Sequence, residues 1–250
     1  MWLALSTNLQ DVKPYGEALQ LSLQCLALCC VMIIVRILRL LFYPIVIVLL
    51  CLSAVEFLPV AVGVYDNIKL YQWLIYGFAA YFIFRKLKFY ARNEEWLQTL
   101  SHESSHAVVG MMFLHKIHSL NTTDSRGGVI YHSGNVGNLF ISLAPYCLPV
   151  VTYVMMFLRL LGDAQMFYIF DLIIGFTLAF YVVCFWRQTR PYQTDIINIG
   201  YLRSTLFILT AWLFNATMIL LTVRVGIYEA FLAVVKLYWT RLADTVAMIF

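Results

Sequence analysis

The sequence has few charged residues. Only 12% of its 250 residues are charged, whereas 62% are hydrophobic and 16% aromatic. A soluble domain is roughly one quarter charged, and one small core could not enclose this much apolar surface. The composition therefore argues against a soluble domain and predicts an integral, multi-pass membrane protein whose solvent is the lipid bilayer. The net charge of +4 is dispersed in short clusters, so no nucleic-acid partner is expected.

Cysteines with CxxC spacing, internal repeats and low-complexity tracts are also absent. The six cysteines all lie in apolar stretches and none has CxxC spacing. We therefore expect buried, unreactive thiols rather than disulfides or metal ligands. The first residues contain neither a basic n-region nor a small-residue cleavage site, so no signal peptide is predicted. Without a tail or linker, 1–250 is predicted to be a single membrane domain.

Apolar runs separated by polar residues define the predicted helices. Several approach the roughly 20 residues needed to span a bilayer, and they lie at about 18–35, 40–64, 70–84, 136–158, 164–186 and 196–223. We predict an all-α polytopic membrane protein with about 6–7 hydrophobic helices. The N-terminal helices occupy 18–93, a core occupies 94–223, and an amphipathic C-terminal helix is predicted at 224–250.

The segment 94–118 is predicted to be a helix with polar residues embedded in it. A glycine pair then precedes Val-Ile-Tyr within 127–131, a pattern typical of a short strand or β-hairpin. If the first three runs span, Arg36, Arg39 and the basic cluster at 85–92 lie on one side of the membrane. The positive-inside rule makes that side the cytosol, so the helix at 94–118 is predicted to begin there.

Residues 102–106 read His-Glu-Ser-Ser-His. Residues four apart on a helix share one face, so His102 and His106 can bind one metal ion. Glu103 lies beside them, where it could act on a water at the metal rather than on the metal itself. Zinc lowers the pKa of such a water to about 7, and a carboxylate can accept and return its proton. Ionisable groups at membrane depth are expensive and usually functional, so the pattern predicts a zinc-dependent hydrolase.

A peptidase-type zinc site needs a third protein ligand and an open fourth position. The only glutamate after Glu103 is Glu229, in the terminal segment. Asp195 stands at the start of a predicted span, and Asp171 lies within the run 164–186. Both aspartates remain candidates from the residues alone.

The pattern HESSHAVVG at 102–110, the Gly-Gly strand after it and Asp195 at a later span start together resemble the site-2 protease-like intramembrane zinc metallopeptidases. The run SLAPYCLP at 142–149 is similar to a Pro-containing helix of such proteins. The resemblance implies that 94–223 is a metallopeptidase-like core. It further implies Zn²⁺ held by two histidines and an aspartate, and cleavage of membrane-anchored protein substrates within or near the bilayer.

The choice of third ligand depends on topology. If 94–118 crosses the membrane fully, two later spans place Asp195 on the face opposite His102, and Asp171 becomes the candidate. If 94–118 is short or re-entrant and the hairpin returns, the next two runs form an out-and-back pair and bring Asp195 beside His102. The second arrangement is favoured because it places three arginines in the cytosol, namely Arg187, Arg190 and Arg203.

The favoured prediction is therefore a zinc site formed by His102, His106 and Asp195, with Asp171 as the rival third ligand and the active site towards the cytosolic side. Glu103 would act as general base and later donate a proton to the leaving amine. The alternative function is a non-catalytic zinc-binding membrane scaffold or a metal transporter. A transporter needs further ligands along a path, and the candidates are His115, His118 and Glu56.

Three residues near the hairpin could contact a substrate. They are His132, Asn135 and Asn138. Helix capping is the favoured interpretation of the two asparagines, because Asn is a preferred residue at helix N-termini. A solvated loop position is favoured for His132.

Overall fold

The computed structural model describes the backbone of residues 13–123, 127–131 and 138–249, and side chains from residue 28 onward except at 35, 38, 39, 89, 248 and 249. These residues form α-helices and one two-stranded hairpin, so the predicted helical fold with a short hairpin is confirmed. The elements are α1 (Lys13–Asp66), α2 (Ile68–Phe84), α3 (Lys88–Met112), β1 (Ile117–Thr122), β2 (Gly127–Tyr131), α4 (Leu139–Cys147), α5 (Val150–Leu158), α6 (Phe167–Gln188), α7 (Thr194–Ile199), α8 (Tyr201–Val225) and α9 (Ile227–Ile249).

Internal contacts divide the chain into two compact units, Met1–Ile47 and Val48–Phe250. The first unit contains, among the described residues, the N-terminal part of α1. The second contains all the later elements and every residue of the candidate site. The single membrane domain over 1–250 stays a prediction.

Fewer helices qualify as membrane spans than the sequence predicts. Within the described residues, three helices are long and apolar enough, and a fourth span results if a bent helix pair is counted as one. The prediction of about 6–7 hydrophobic helices was therefore too high. The candidates are Leu40–Asp66, Ala164–Gln188, Tyr201–Val225 and the bent pair Leu139–Cys147 with Val150–Leu161.

Two physical reasons explain the smaller number. Arg36 and Arg39 do not interrupt the helix, since arginine is a good helix former, and the runs 18–35 and 40–64 therefore belong to the continuous helix α1. Helix α2 has 17 residues, which is shorter than the roughly 20 that cross a bilayer without distortion.

Helices α2 and α6 pack side by side with their N-termini at the same end. Gly77 of α2 lies against the backbone of Leu172, and Gly175 of α6 lies against the backbone of Leu74. A Cβ at either glycine would overlap a carbonyl oxygen of the other helix. Small residues at such positions let membrane helices approach closely. At their C-terminal ends, both helices place an arginine next to Glu94 of α3.

Helices α4 and α5 are bent by 74° relative to each other. Pro145 lies inside α4 and Pro149 immediately precedes α5, and proline cannot supply the N–H that a continuous helix requires. The carbonyl of Ile141 in α4 contacts the helix α3, whereas α5 leads to Arg159 beside the start of α6. Since α6 then returns to α3, the chain runs away from α3 through α4 and α5 and comes back through α6. This path agrees with the predicted out-and-back pair, and the break lies between α4 and α5.

Helix α3 ends earlier than predicted. The expected helix at 94–118 is observed at Lys88–Met112, followed by the hairpin. Leu114 has a φ of 62°, the His115 N–H donates to the Gly110 carbonyl at 3.0 Å, and the Leu114 N–H donates to Met111 at 2.9 Å. These two bonds around a left-handed residue form a Schellman cap. The cap stops the helix and lets the hairpin fold back along it.

Helix α9 covers most of the predicted C-terminal helix at 224–250. It packs on α8, and it contacts α1 through two polar pairs, Ser53 with Tyr238 at 2.7 Å and Glu56 with Arg241 at 2.8 Å. Glu56 is buried, so Arg241 compensates its charge. Among the described residues, α9 is not one of the candidate spans.

Candidate metal centre

Helix α3 carries both histidines of the HExxH motif on one face. The Nε2 atoms of His102 and His106 lie 3.3 Å apart, and the two rings meet at an interplanar angle of 74°. The spacing of four residues places the side chains one turn apart, as the 3.6-residue period requires. Both side chains are largely buried.

Asp195, in the first turn of α7, lies opposite this histidine pair. Its Oδ2 is 3.7 Å from Nε2 of His102 and 3.6 Å from Nε2 of His106. Within the part of the chain that the structure describes, these three side chains form the one group of three or more possible ligands, with ligand atoms all within 4.8 Å of one another. The structure therefore brings together the three residues predicted to hold the metal.

The distances among the three ligand atoms fit a zinc ion. Ligand atoms bound tetrahedrally at about 2.0–2.1 Å lie roughly 3.4 Å from one another. The observed separations are 3.3, 3.6 and 3.7 Å. Three protein ligands leave the fourth tetrahedral position open, as in catalytic rather than structural zinc sites.

The other nitrogen of each imidazole has a partner that determines the tautomer. His106 donates from Nδ1 to the Ile141 carbonyl at 2.7 Å, and Nδ1 of His102 lies 3.3 Å from Oε1 of Gln188. The Gln188 amide is oriented by its own donation to the Gln98 carbonyl at 3.0 Å. With the proton on Nδ1, both Nε2 lone pairs point to the space beside Asp195. Two lone pairs and a carboxylate repel one another unless a cation lies between them.

Electrostatics at the centre agree with this donor set. Burial raises the pKa of the Asp195 carboxyl, but His102 and His106, when they carry a proton on Nε2, together hold it well below its ordinary value through hydrogen bonds and charge. Burial lowers the pKa of His106, but the hydrogen bond to Asp195, the negative charges of Asp195 and Glu103 and the bond to the Ile141 carbonyl together raise it above its ordinary value. Asp195 therefore stays ionised and supplies a negative charge for a cation.

Glu103 lies next to the centre without belonging to the ligand group. Its side chain is buried, with 8% exposed, and burial raises the pKa of its carboxyl. A Cβ at Gly127 would collide with the Glu103 carboxylate, so the hairpin covers this side chain closely. The absence of a side chain at residue 127 is what makes this approach possible.

A second contact fixes the hairpin on α3. Tyr131 donates from its hydroxyl to the His106 carbonyl at 2.8 Å, and its ring lies against Gly110, where a Cβ would overlap it. The glycines of the motif region therefore serve close packing between α3 and β2. We consider this contact to be the physical reason why the hairpin returns to the site.

Tyr146 is a site residue that the sequence did not single out. It donates from its hydroxyl to Oδ2 of Asp195 at 3.3 Å, and its ring meets His102 edge-on at 5.4 Å. Its own carbonyl accepts bonds from Tyr181 and Trp212. The run SLAPYCLP contains Tyr146 and was the available signal, whereas no motif marks Gln188.

Asp171, the rival third ligand, lies at the other end of α6. Its Oδ1 accepts from Nε of Arg159 at 2.9 Å, and both side chains are buried. Asp171 does not belong to the ligand group around His102. Asp171 therefore forms an ion pair with Arg159 and is not the third ligand of this group.

The remaining predicted residues have other positions. Asn138 accepts from the Phe140 N–H at 2.9 Å and so caps α4, which confirms the capping interpretation. His115 meets the Tyr131 ring edge-on at 5.9 Å. His132 and Asn135 lie outside the described residues. The cysteines with described side chains are free thiols. Cys147 and Cys184 are buried as predicted, whereas Cys29, Cys30 and Cys51 are exposed, so the prediction of burial was wrong for those three.

A comparison with protein-family models finds one described as Peptidase M50B-like, which matches residues 74–246. The matched range contains all of α3, the hairpin and the helices α4 to α8. It therefore includes every residue of the candidate metal centre. No curated protein and no solved structure matches the chain.

Proposed function

Since the chain belongs to the Peptidase M50B-like family, we propose that it is an intramembrane zinc metalloprotease. Its substrates are membrane-anchored proteins, whose peptide bonds it hydrolyses within or near the bilayer. The observation that carries this proposal is the convergence of His102, His106 and Asp195 on one point beside the buried carboxyl of Glu103. That set has the number and kind of ligands of a catalytic zinc site.

Each residue has a distinct role in this proposal. His102, His106 and Asp195 hold Zn²⁺, which when bound supplies Lewis acidity towards the scissile carbonyl and the attacking water. Glu103 accepts the proton of that water and delivers it to the leaving amine. Burial raises the pKa of Glu103, which makes its carboxylate a stronger base towards that water than the carboxylate of an ordinary glutamate.

The hairpin supports an extended substrate. Among the described residues, β1 and β2 pair only with each other, so each has a free edge for an added strand. β2 begins at Gly127, directly beside Glu103. A transmembrane substrate helix would unwind locally to place its peptide bond there, and the polar stretch 187–195 supplies a route for water.

The decisive experiment is the substitution Glu103→Gln. The purified variant should retain about one zinc per chain, because Glu103 is not a ligand. Cleavage of a model transmembrane substrate should fall by at least roughly 100-fold, the usual contribution of a general acid–base group. Glu95→Gln is the matched control, since Glu95 is an exposed glutamate of the same helix, and it should behave as the wild type.

Other outcomes would decide against the proposal. Full cleavage activity in the Glu103→Gln protein would remove its role as base. A zinc-loaded wild type that cleaves no transmembrane substrate would favour the alternative, a zinc-binding scaffold or metal transporter.

We place the active site on the cytosolic side of the membrane. The end of the bundle that holds the metal centre carries more arginine and lysine, among them Arg85, Lys86, Lys88, Arg187 and Arg190, and such residues favour the cytosol. In a background without exposed cysteines, Lys88→Cys and Arg190→Cys should react with an impermeant maleimide only from the cytosolic side. Lys69→Cys should react only from the other side, and labelling of all three from one side would contradict this orientation.

A further inference from the structure

A second candidate ligand site lies far from the metal centre. An open cavity of about 620 Å³ is lined by the starts of α2 and α6 and the ends of α5 and α8. Ligand pockets have volumes of roughly 300–1,000 Å³, so this cavity is large enough for a small molecule or a lipid headgroup. Its lining includes three cations, Lys69, Arg159 and Arg224, but a single acid, Asp171.

The cavity lies at one end of two candidate membrane spans. It is lined by the first two turns of the candidate span Ala164–Gln188 and the last turn of the candidate span Tyr201–Val225. At ~1.5 Å per residue, Asp171 and Gln188 are roughly 25 Å apart along α6, close to the ~30 Å thickness of the hydrocarbon core. The cavity and the metal centre therefore open near opposite faces of the bilayer.

Arg159 is the buried cation of the cavity lining, and two hydrogen bonds hold its guanidinium in place. It is 7% exposed, it donates from Nε to Asp171 at 2.9 Å and from Nη2 to the Val223 carbonyl at 3.1 Å, and its guanidinium lies 4.1 Å from the centre of the Phe167 ring. An arginine has five N–H donors, and these two bonds leave others for a ligand. Asp171 compensates one positive charge.

The other two cations are not compensated. Lys69 and Arg224 are exposed, and neither forms an ion pair with any residue that the structure describes. With Arg159 and Asp171 cancelling each other, the cavity carries two net positive charges. A ligand held there is expected to be an anion.

The rest of the lining suits a lipid. Trp73 and Tyr168 contribute rings 5.3 Å apart, and tryptophan and tyrosine are enriched at the level of lipid headgroups. Leu70 and Leu160 add apolar surface. A ligand with an anionic head and an apolar body would match both parts of this lining.

We propose that this cavity binds the phosphate group of an anionic phospholipid. Lys69 and Arg224 attract the phosphate, the anchored Arg159 donates to it, and the aromatic rings contact the glycerol and the start of the acyl chains. A bound lipid would contact α2, α5, α6 and α8 together and brace this end of the bundle. The inference does not depend on the proposed protease activity.

The test uses the full chain purified in detergent and titrated with phosphatidylglycerol or phosphatidylcholine, with bound lipid counted by native mass spectrometry. Wild type should bind phosphatidylglycerol more tightly. The double variant Lys69→Ala/Arg224→Ala should bind it roughly 30-fold more weakly, since each basic residue near an anionic lipid contributes roughly fivefold. The control Lys86→Ala/Arg92→Ala removes the same charges from exposed positions at the other end and should bind as the wild type.

A charge-conserving variant and a competition with inorganic phosphate test the proposal further. The charge-conserving variant Lys69→Arg/Arg224→Lys should retain the preference for phosphatidylglycerol, and it decides the matter if the alanine variant does not fold. Equal weakening in the control, or equal affinity of wild type for the two lipids, would overturn the proposal. So would displacement of phosphatidylglycerol by inorganic phosphate at similar concentrations, because the site would then recognise free phosphate instead of a lipid.

Discussion

One aspartate lies near each end of α6, and the two aspartates have different partners. At the N-terminal end, Asp171 lies 2.9 Å from Arg159. Beyond the C-terminal end, Asp195 lies 3.6–3.7 Å from two imidazole nitrogens. An arginine offers only donors and a permanent charge, whereas a neutral imidazole offers a lone pair. The first arrangement is complete as an ion pair, and the second is complete only with a cation.

The difference shows that the partner, and not the acid, determines what a buried carboxylate does in a membrane protein. Asp171 stands deeper in an apolar run than Asp195 and is the more unusual residue in the sequence. Its partner Arg159 is nevertheless a structural one. Asp195 stands at the edge of a polar stretch and meets residues of α3 that are distant along the chain.

The largest expected effect comes from exchanging the two aspartates for alanine. Asp195→Ala should abolish activity and most zinc binding, because two imidazoles alone leave the ion under-coordinated. Asp171→Ala should retain zinc but lose ~3–5 kcal/mol of stability, since it leaves the buried Arg159 without its partner. Zinc stoichiometry, cleavage of a model transmembrane substrate and thermal unfolding measure the three quantities.

A paired substitution sharpens this result. Arg159→Met/Asp171→Leu removes both charges together, and replacing a whole buried pair costs much less than removing one partner. The double variant should therefore unfold closer to the wild-type temperature than Asp171→Ala. If Asp171→Ala loses the zinc and Asp195→Ala keeps it, the assignment of Asp195 as metal ligand and Asp171 as ion-pair partner is wrong.

A third acid, Glu103, extends the comparison, because the hairpin and not a charged partner covers it. Gly127→Ala would push a methyl group into its carboxylate. Activity should fall roughly 100-fold, since small displacements of a catalytic group cost about that much, while zinc remains bound. Gly128→Ala is the matched control, because no atom lies within 4 Å of an added Cβ there. Equal activities of the two variants would show that the hairpin does not position Glu103.

The sequence predicted those parts of the site that depend on local spacing. His102, Glu103 and His106 follow from one helical period, and the glycine pair at 127–128 indicated the hairpin. The resemblance to site-2 protease-like enzymes is confirmed by the family match. Asp195 was found because the charge rule favoured one topology, and the structure places it beside the histidines.

Features that depend on distant contacts could not be predicted in this way. Gln188 has no motif, and the run SLAPYCLP does not indicate which of its residues meets the site. The roles of Gln188 and Tyr146 arise because α6 and α4 end or bend beside α3. The number of spans was overestimated because hydropathy does not reveal that one helix continues through Arg36 and Arg39. Likewise, the left-handed conformation of Leu114 that ends α3 is unusual for a leucine, and composition does not indicate it.

The smallest expected effect tests the support of the metal centre at the C-terminal end of α6. Gln188 accepts from His102 Nδ1 and is itself oriented by the Gln98 carbonyl. Loss of such an outer partner typically costs 10–100-fold in metal affinity, so Gln188→Ala should bind zinc roughly tenfold more weakly in a competition with a chelator. At saturating zinc its activity should approach that of the wild type, since no ligand is lost.

Two variants make this last prediction specific. Gln193→Ala removes a nearby glutamine whose side chain forms no hydrogen bond among the described residues, and its zinc affinity should not change. Gln188→Glu keeps an acceptor for the His102 N–H but cannot donate to Gln98, so its affinity should lie closer to the wild type than that of Gln188→Ala. If the alanine and glutamate variants bind zinc equally weakly, Gln188 acts through the packing of α6 on α3 and not through the imidazole. If neither differs from the wild type, the packed neighbours of His102 alone hold its ring in place.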